Sequence, residues 1–296
     1  AYAEVEGADS EILQTTFSEA SEALGYDVWA TVKEGPQEKL NLTEITQPVL
    51  LTCSIALWRI WQEKGGAVPA LLAGHSLGEW TALVAAGAVK FEDAVKLVRS
   101  RGQYMQEAVP QGEGAMAAII GLADDVVENV CAESSDAGVV SPVNYNSPGQ
   151  LVIAGSAAAV EKAIEGCKAA GAKKAMPLPV SAPFHTSLMK PAADRLESEI
   201  MATEYKAPSI PVVHNVHAQT ESDPEKIKAL MVEQIYSPVR WVSCVQTLVS
   251  KNISNTVECG PGKVLSGLNR RIDKSLTSHA TEMPDSLQSA IDATKN

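Results

Sequence analysis

The chain has few cysteines, no excess of positive charge and no long apolar run. Its five cysteines stand at 53, 131, 167, 244 and 259, none in a Cys-x-x-Cys pair. An odd number at wide spacing argues against a disulfide framework or a structural zinc site and implies a reducing compartment. Lys and Arg total 24 against 36 Asp and Glu, a net charge of −12. Nucleic acid is therefore not an expected partner, because phosphate backbones are met by a basic footprint. No stretch approaches the roughly 20 apolar residues of a membrane span. The first residues, AYAEVEGADS, lack the basic and apolar segments of a secretory signal. A cytoplasmic location is expected, although a processed organellar protein would read the same way.

What is present is a globular composition, 45% apolar over 296 residues, enough for one large core with a smaller insert. The feature that carries chemistry is AGHSLGEW at 73–80. A short apolar strand (Val68–Ala73) leads in and a helix (Leu77–Ala86) leads out. Gly-x-Ser-x-Gly between strand and helix is the nucleophile elbow, with glycines 74 and 78 expected to let neighbouring backbone pass. Ser76 is the candidate nucleophile, and the Leu77 N–H, at a helix start where unpaired donors gather, the candidate oxyanion donor. The plain alternative is a serine capping a helix.

Strands alternate with helices along most of the chain, which implies an α/β fold with a mostly parallel sheet. Helices are expected over 12–24, 49–64 (opened by Pro48), 91–109, 188–201, 224–234, 239–249 and 263–272, with strands at 210–216 and 256–259. The texture changes between 113 and 181. There the order is β-α-β-β-α-β, the pattern of a ferredoxin-like α+β subdomain inserted into a core made of 1–112 and 182–296. After Met283 the sequence is polar and weakly specified.

A serine needs a base. Of histidines 75, 185, 214, 217 and 279, His185 follows Val180–Phe184, where an apolar strand expected over 174–180 ends and a helix begins, the kind of strand end where α/β sheets build sites. His75 adjoins Ser76 and is expected to diverge from it. His214 and His217 read as structural, and His279 lies in a polar stretch. Asp223 and Glu258 are the acidic candidates to orient the base, neither well placed. Ala94, Val98, Arg101 and Met105 form one helical stripe, so Arg101 faces the core. It must be paired there, either in a structural ion pair with Glu79 or Glu107 or in a grip on a substrate carboxylate. Asn144 and Asn146 sit in a turn and could bond a substrate or serve only the turn. Gly260-Pro261-Gly262-Lys263 lacks the spacing of a phosphate loop.

Nine stretches, taken together, are recognisable. They are Thr46-Gln47-Pro48, GHSLGEW (74–80), RGQYMQEAVP (101–110), GAMAAIIGL (114–122), NYNSPGQLVIAG (144–155), APFH (182–185), MKPAA (189–193), IYSPVRW (235–241) and ECGPGKVL (258–265). They resemble the malonyl-CoA:acyl carrier protein transacylases of type II fatty acid synthesis. The resemblance implies a hydrolase-like core and a ping-pong transfer with malonyl-CoA as substrate, holo-acyl carrier protein as partner, and no metal or resident cofactor. It implies that Ser76 takes the malonyl group, His185 is the base, Arg101 holds the free carboxylate, and the Gln234 backbone carbonyl orients the histidine. His75, Asn144, Asn146 and Phe184 would line the pocket, Phe184 in the malonyl-selective version. A monomer is expected. Lys173, Lys174, Lys190, Arg195, Arg270 and Arg271 are candidate contacts for CoA phosphates or an acidic carrier. Family members begin with an apolar strand leading into Gly-Gln-Gly-Ser-Gln; nothing here matches it, so an incomplete sequence is expected. The rival readings are a serine hydrolase, which would place a carboxylate on His185, and a degraded relative that only binds.

Overall fold

Helices fill the first fifth of the chain, in a computed structural model that describes residues 1–4 and 7–295. These are α1 (Ala8–Leu24), α2 (Val28–Glu34), α3 (Gln37–Leu40) and α4 (Thr43–Glu63). Then come β1 (Leu72–Ala73), α5 (Leu77–Ala85) and α6 (Phe91–Glu107). A strand-rich stretch follows: β2 (Gly114–Ile120), α7 (Asp124–Glu133), β3 (Val140–Ser147), β4 (Gln150–Ser156), α8 (Ala157–Ala169) and β5 (Lys174–Pro177). The chain closes with α9 (Lys190–Ala202), β6 (Val212–Val213), α10 (Pro224–Gln234), α11 (Trp241–Ser250), β7 (Asn255–Glu258), α12 (Val264–Ile272), β8 (Thr277–Ala280) and α13 (Pro284–Thr294).

The architecture is α/β with mixed sheets. The expected single, mostly parallel sheet is replaced, among the described residues, by two short parallel pairs, β1–β6 and β7–β8. The β1–β6 ladder is only two residues long, Leu72 opposite Val212 and Ala73 opposite Val213. Pro69 and Pro211 lie just upstream and lack the N–H groups that would extend it. The largest sheet is antiparallel and four-stranded, in the order β3-β4-β2-β5, with α7 and α8 packed on it around Ile119, Leu151, Ile153 and Val160. The main core is a separate cluster, mostly helical, centred on Leu51, Ile55, Trp80, Leu83, Val98 and Leu196.

Two helices differ from the sequence reading. Pro48 does not open α4; the helix already runs from Thr43. Its first turn is tied down by the Ile45 and Thr46 N–H groups, both bonded to the Leu42 carbonyl. Close packing on α6 holds it there: a Cβ on Gly102 would lie 2.4 Å from the Thr43 carbonyl oxygen. The early turn matters because it carries Gln47. The stretch after Met283, expected to be weakly specified, forms α13. Its Leu287, Ala290 and Ile291 follow i, i+3, i+4 spacing and are fully buried. The stripe is three residues wide in an otherwise polar segment, so average polarity hid it.

The buried stripe makes α13 part of the core. Leu287→Ala is expected to lower stability by about 2–5 kcal/mol, read by urea denaturation. A change within about 0.5 kcal/mol, as at an ordinary surface position, would show that α13 is not part of the core.

Candidate active site

β1 stops at Ala73, and within three residues the chain reverses into α5. Ser76 occupies the bend at φ 54°, ψ −110°, a conformation that L-residues rarely hold without support. Gly74 makes the bend possible: a Cβ there would stand 2.0 Å from the carbonyl carbon and oxygen of Gly78. Gly78 does not share the role expected of it. A Cβ added at 78 meets nothing within 4 Å, so residue 78 supplies the backbone that Gly74 must clear. Asn215 fixes the bend from outside. Its Oδ1 accepts from the Ser76 N–H (2.8 Å) and its Nδ2 donates to the Gly74 carbonyl (2.7 Å). Leu77 is the first helical residue, so its N–H has no acceptor one turn back within α5.

His185 is brought to Ser76 from 109 residues further along the chain. It too has positive φ, 64°. Its Nδ1 lies 2.9 Å from the Gln234 carbonyl oxygen, which can only accept. That sets the tautomer: Nδ1–H donates to Gln234, and Nε2, 2.8 Å from Ser76 Oγ, is free to accept the hydroxyl proton. Among the described residues no carboxylate orients the ring. Asp223 instead caps α10 through the Glu225 N–H, and Glu258 accepts from the Ser266 N–H and hydroxyl at the start of α12.

Arg101 lies on the core-facing stripe at 1% exposure. Its Nη1 donates to Gln47 Oε1 (2.7 Å), and its Nη2 to Gln234 Oε1 (2.8 Å) and Ser76 Oγ (2.9 Å). Its Nε is buried with no partner among the described residues. Neither carboxylate considered as its ion-pair partner bonds to it directly. Glu107 pairs at the surface with Arg195, 2.7 Å away. Glu79 is fully buried and one amide removed, its Oε2 accepting from Gln234 Nε2 at 2.6 Å. Burial lowers the Arg101 pKa to about 10, partly countered by Glu79, so the guanidinium stays charged at neutral pH.

A cleft of about 200 Å³ joins these groups. Ser76, Leu77, His75, Arg101, Asn144, Phe184 and His185 all line it, with Gln47, Met105 and Met116. Two residues expected in the site stand behind the wall. Gln234 backs His185 and Arg101, and Asn146 Oδ1 accepts from His75 Nε2 at 2.8 Å. Asn144 Oδ1 is buried without a partner among the described residues. A larger groove of about 360 Å³, walled by Trp58, Arg59, Phe91 and Lys206, contains none of the expected residues. His214 bonds Glu79, His217 accepts from the Gln219 N–H, and His279 meets Asn255; none touches Ser76. The six candidate phosphate or carrier contacts are all exposed.

A serine, a neutral histidine, a helix N-terminus and an unopposed guanidinium around one cleft are an acyl-transfer arrangement with a binding place for an anion. The model of the acyl transferase domain matches residues 11–284. The malonyl CoA-acyl carrier protein transacylase of Salmonella typhimurium is 54% identical over 280 residues, 95% of this chain and 91% of that one. The chain belongs to the malonyl CoA-acyl carrier protein transacylases. Solved structures agree. An acyl-carrier-protein S-malonyltransferase from Burkholderia pseudomallei superposes with a TM-score of 0.94 at 53% identity, covering 96% of this chain and 92% of that one. A malonyl-transacylase solved in complex with a type II PKS acyl-carrier protein gives 0.94 at 50% identity, with the same coverage.

Three contributors escaped the sequence reading: Gln47, Asn215 and the side chain of Gln234. Each is a lone uncharged amide. Nothing in periodicity or charge marks such a residue until the fold shows what it bonds.

Burial, then the Arg101 charge, depresses the His185 pKa to about 3, against the Gln234 hydrogen bond, which raises it. The unperturbed value is about 6.5. The unfolded chain therefore takes up a proton below about 6.5 that the folded chain refuses until about 3. The histidine's contribution to stability is complete above about 6.5 and is lost as pH falls through that window. Labelling of Ser76 by a neutral fluorophosphonate is expected to hold its rate down to about pH 5. A half-maximum near pH 6.5 would show an ordinary, solvated imidazole.

Proposed function

We propose that the chain transfers a malonyl group from malonyl-CoA to the phosphopantetheine thiol of acyl carrier protein, through an ester on Ser76. The observation that carries the reading is the contact of one side chain, Ser76, with both a base (His185, 2.8 Å) and a buried cation (Arg101, 2.9 Å). The names of the close relatives agree with it.

Ser76 O–H gives its proton to His185 Nε2 as Oγ attacks the thioester carbonyl. The oxyanion forms beside the Leu77 N–H at the start of α5. The C–S bond breaks, and the CoA sulfur leaves with the proton from the imidazolium. In the second half the carrier thiol gives its proton to His185 and attacks the ester; the C–O bond to Ser76 breaks and Oγ takes the proton back from the imidazolium. Arg101 binds the malonyl carboxylate, which supplies an acceptor for Nε and competes with Ser76 Oγ for Nη2. Drawing the guanidinium toward an anion removes a donor from the nucleophile and weakens the field that suppresses His185. The substrate's own charge thus helps to activate the serine. An imidazole held by an amide carbonyl forms a less stabilised imidazolium than one held by a carboxylate. That suffices for a thiol acceptor, with a pKa of about 8.5, better than for water.

His75, Asn144 and Phe184 shape the acyl pocket, with Asn146 holding His75. Residues 113–181 form a ferredoxin-like subdomain inserted in a hydrolase-like core made of 1–112 and 182–296. The strand order β3-β4-β2-β5 and the subdomain's own apolar cluster support that division.

Incubation with malonyl-CoA, read by intact mass, is expected to give one malonyl adduct on Ser76 that persists until holo-acyl carrier protein is added. Rapid release of free malonate without acceptor would identify a hydrolase, and no adduct would reject the reading. Arg101→Ala is expected to slow malonyl adduct formation by about 100-fold, by loss of charge-assisted hydrogen bonds, with acetyl transfer spared. Equal losses for both acyl groups would remove Arg101 from substrate binding.

A further inference from the structure

Glu79 is a fully buried carboxylate one turn after the nucleophile, and the mechanism above does not use it. A charge in that position must be paired and hydrogen-bonded. Its Oε1 accepts from His214 Nδ1 (2.6 Å) and the Asn215 N–H (3.2 Å), and its Oε2 from Gln234 Nε2 (2.6 Å). The last contact is the informative one. The other end of the same amide, Gln234 Oε1, accepts from Arg101 Nη2 (2.8 Å). One glutamine therefore separates the two buried charges.

The direction of that amide follows from chemistry. Its nitrogen faces Glu79 Oε2 and the Ser76 carbonyl oxygen (2.9 Å), neither of which can donate. Its oxygen faces a guanidinium, which cannot accept. Reversal would set NH₂ against Arg101 and the amide oxygen against a carboxylate and a carbonyl. Glu79 is the charged group that forbids this reversal from the nitrogen side, as Arg101 is from the oxygen side.

We propose that Glu79 is a positioning residue for malonyl selectivity: by holding the Gln234 side-chain amide in one orientation, it keeps Arg101 aimed at the acyl carboxylate. This rests on Arg101 being the carboxylate-binding group. With the amide released, Arg101 keeps only Gln47 and Ser76 as acceptors, and the guanidinium is no longer directed. The Ser76–His185 contact uses the Gln234 backbone carbonyl, not its amide, so reaction with an uncharged acyl group depends much less on Glu79.

The test is Glu79→Gln, which preserves volume and removes the charge. Adduct formation on Ser76 is followed with malonyl-CoA and acetyl-CoA across a concentration series. The expected result is about a tenfold loss in kcat/KM for malonyl-CoA, mainly through KM, as for loss of a hydrogen bond to a charged group. Acetyl-CoA should change by no more than about twofold. Glu79→Asp keeps the charge but shortens the arm that reaches Gln234 Nε2, and is expected to show the same selective loss; it carries the test if E79Q does not fold. His214→Asn loosens the opposite side of the carboxylate and should lower Tm without altering the malonyl-to-acetyl ratio. Equal losses for both substrates in E79Q and E79D, or a ratio altered as much by H214N, would overturn the proposal. Wild-type protein that forms no malonyl adduct would instead defeat the functional reading itself.

Discussion

Arg101 carries a full positive charge into the main core, and the way that charge is answered organises the site. A lone buried guanidinium costs several kcal/mol. The offset comes from three neutral oxygens, on Gln47, Gln234 and Ser76, at about 1.5–3 kcal/mol for each hydrogen bond to a charged group. A carboxylate in direct contact would have satisfied the same donors. It would also have cancelled the field and occupied the fork that the proposed mechanism assigns to an anionic acyl group. Placing Glu79 one amide away gives a different result. The pair of charges is near neutral as a unit, while the face toward the cleft stays positive.

The same field reaches the base. Arg101 is the second cause, after burial, of the low pKa of His185. The resting imidazole is therefore neutral and ready to accept a proton, yet reluctant to keep one. On the proposed mechanism that reluctance favours prompt return of the proton to the departing thiol. Geometry takes over part of the work that basicity does elsewhere. Ser76 and His185 both sit at positive φ, and both are held by amide residues that bond backbone: Asn215 grips Gly74 and Ser76, and Gln234 grips Ser76 and His185. Strained backbone persists only where the surroundings over-determine it.

These particulars show why the sequence was informative in some places and silent in others. Ser76 was legible because a glycine-fenced bend between strand and helix is a local pattern. Arg101 was legible because a charge on an apolar stripe violates a periodicity. The strand-rich segment was legible because its elements alternate at regular length. Pro48 misled because a proline is best accommodated in the first turn of a helix, whereas packing of α4 on Gly102 and bonds to Leu42 extend the helix upstream of it. β8, with the sequence TSHA, has no apolar alternation to announce it and gains its place by pairing with β7. Gln47, Asn215 and the Gln234 amide are recognisable only from their partners, which lie 54, 139 and 133 residues away along the chain.

The strand-rich segment is tied to the stretch that carries Gln234 through backbone bonds. The Val239 N–H donates to the Val143 carbonyl (2.7 Å), and the Tyr145 N–H donates to the Val239 carbonyl (3.0 Å). These bonds clamp the end of β3, where Asn144 and Asn146 stand, to the loop that follows Gln234. One wall of the cleft and the residue that orients both His185 and Arg101 are thereby set in a common register, within five residues of each other across the clamp. A shift of β3 along this loop would move Asn144 relative to the cleft it lines. Asn144 and the Gln234 carbonyl are thus joined through one short stretch of hydrogen-bonded backbone.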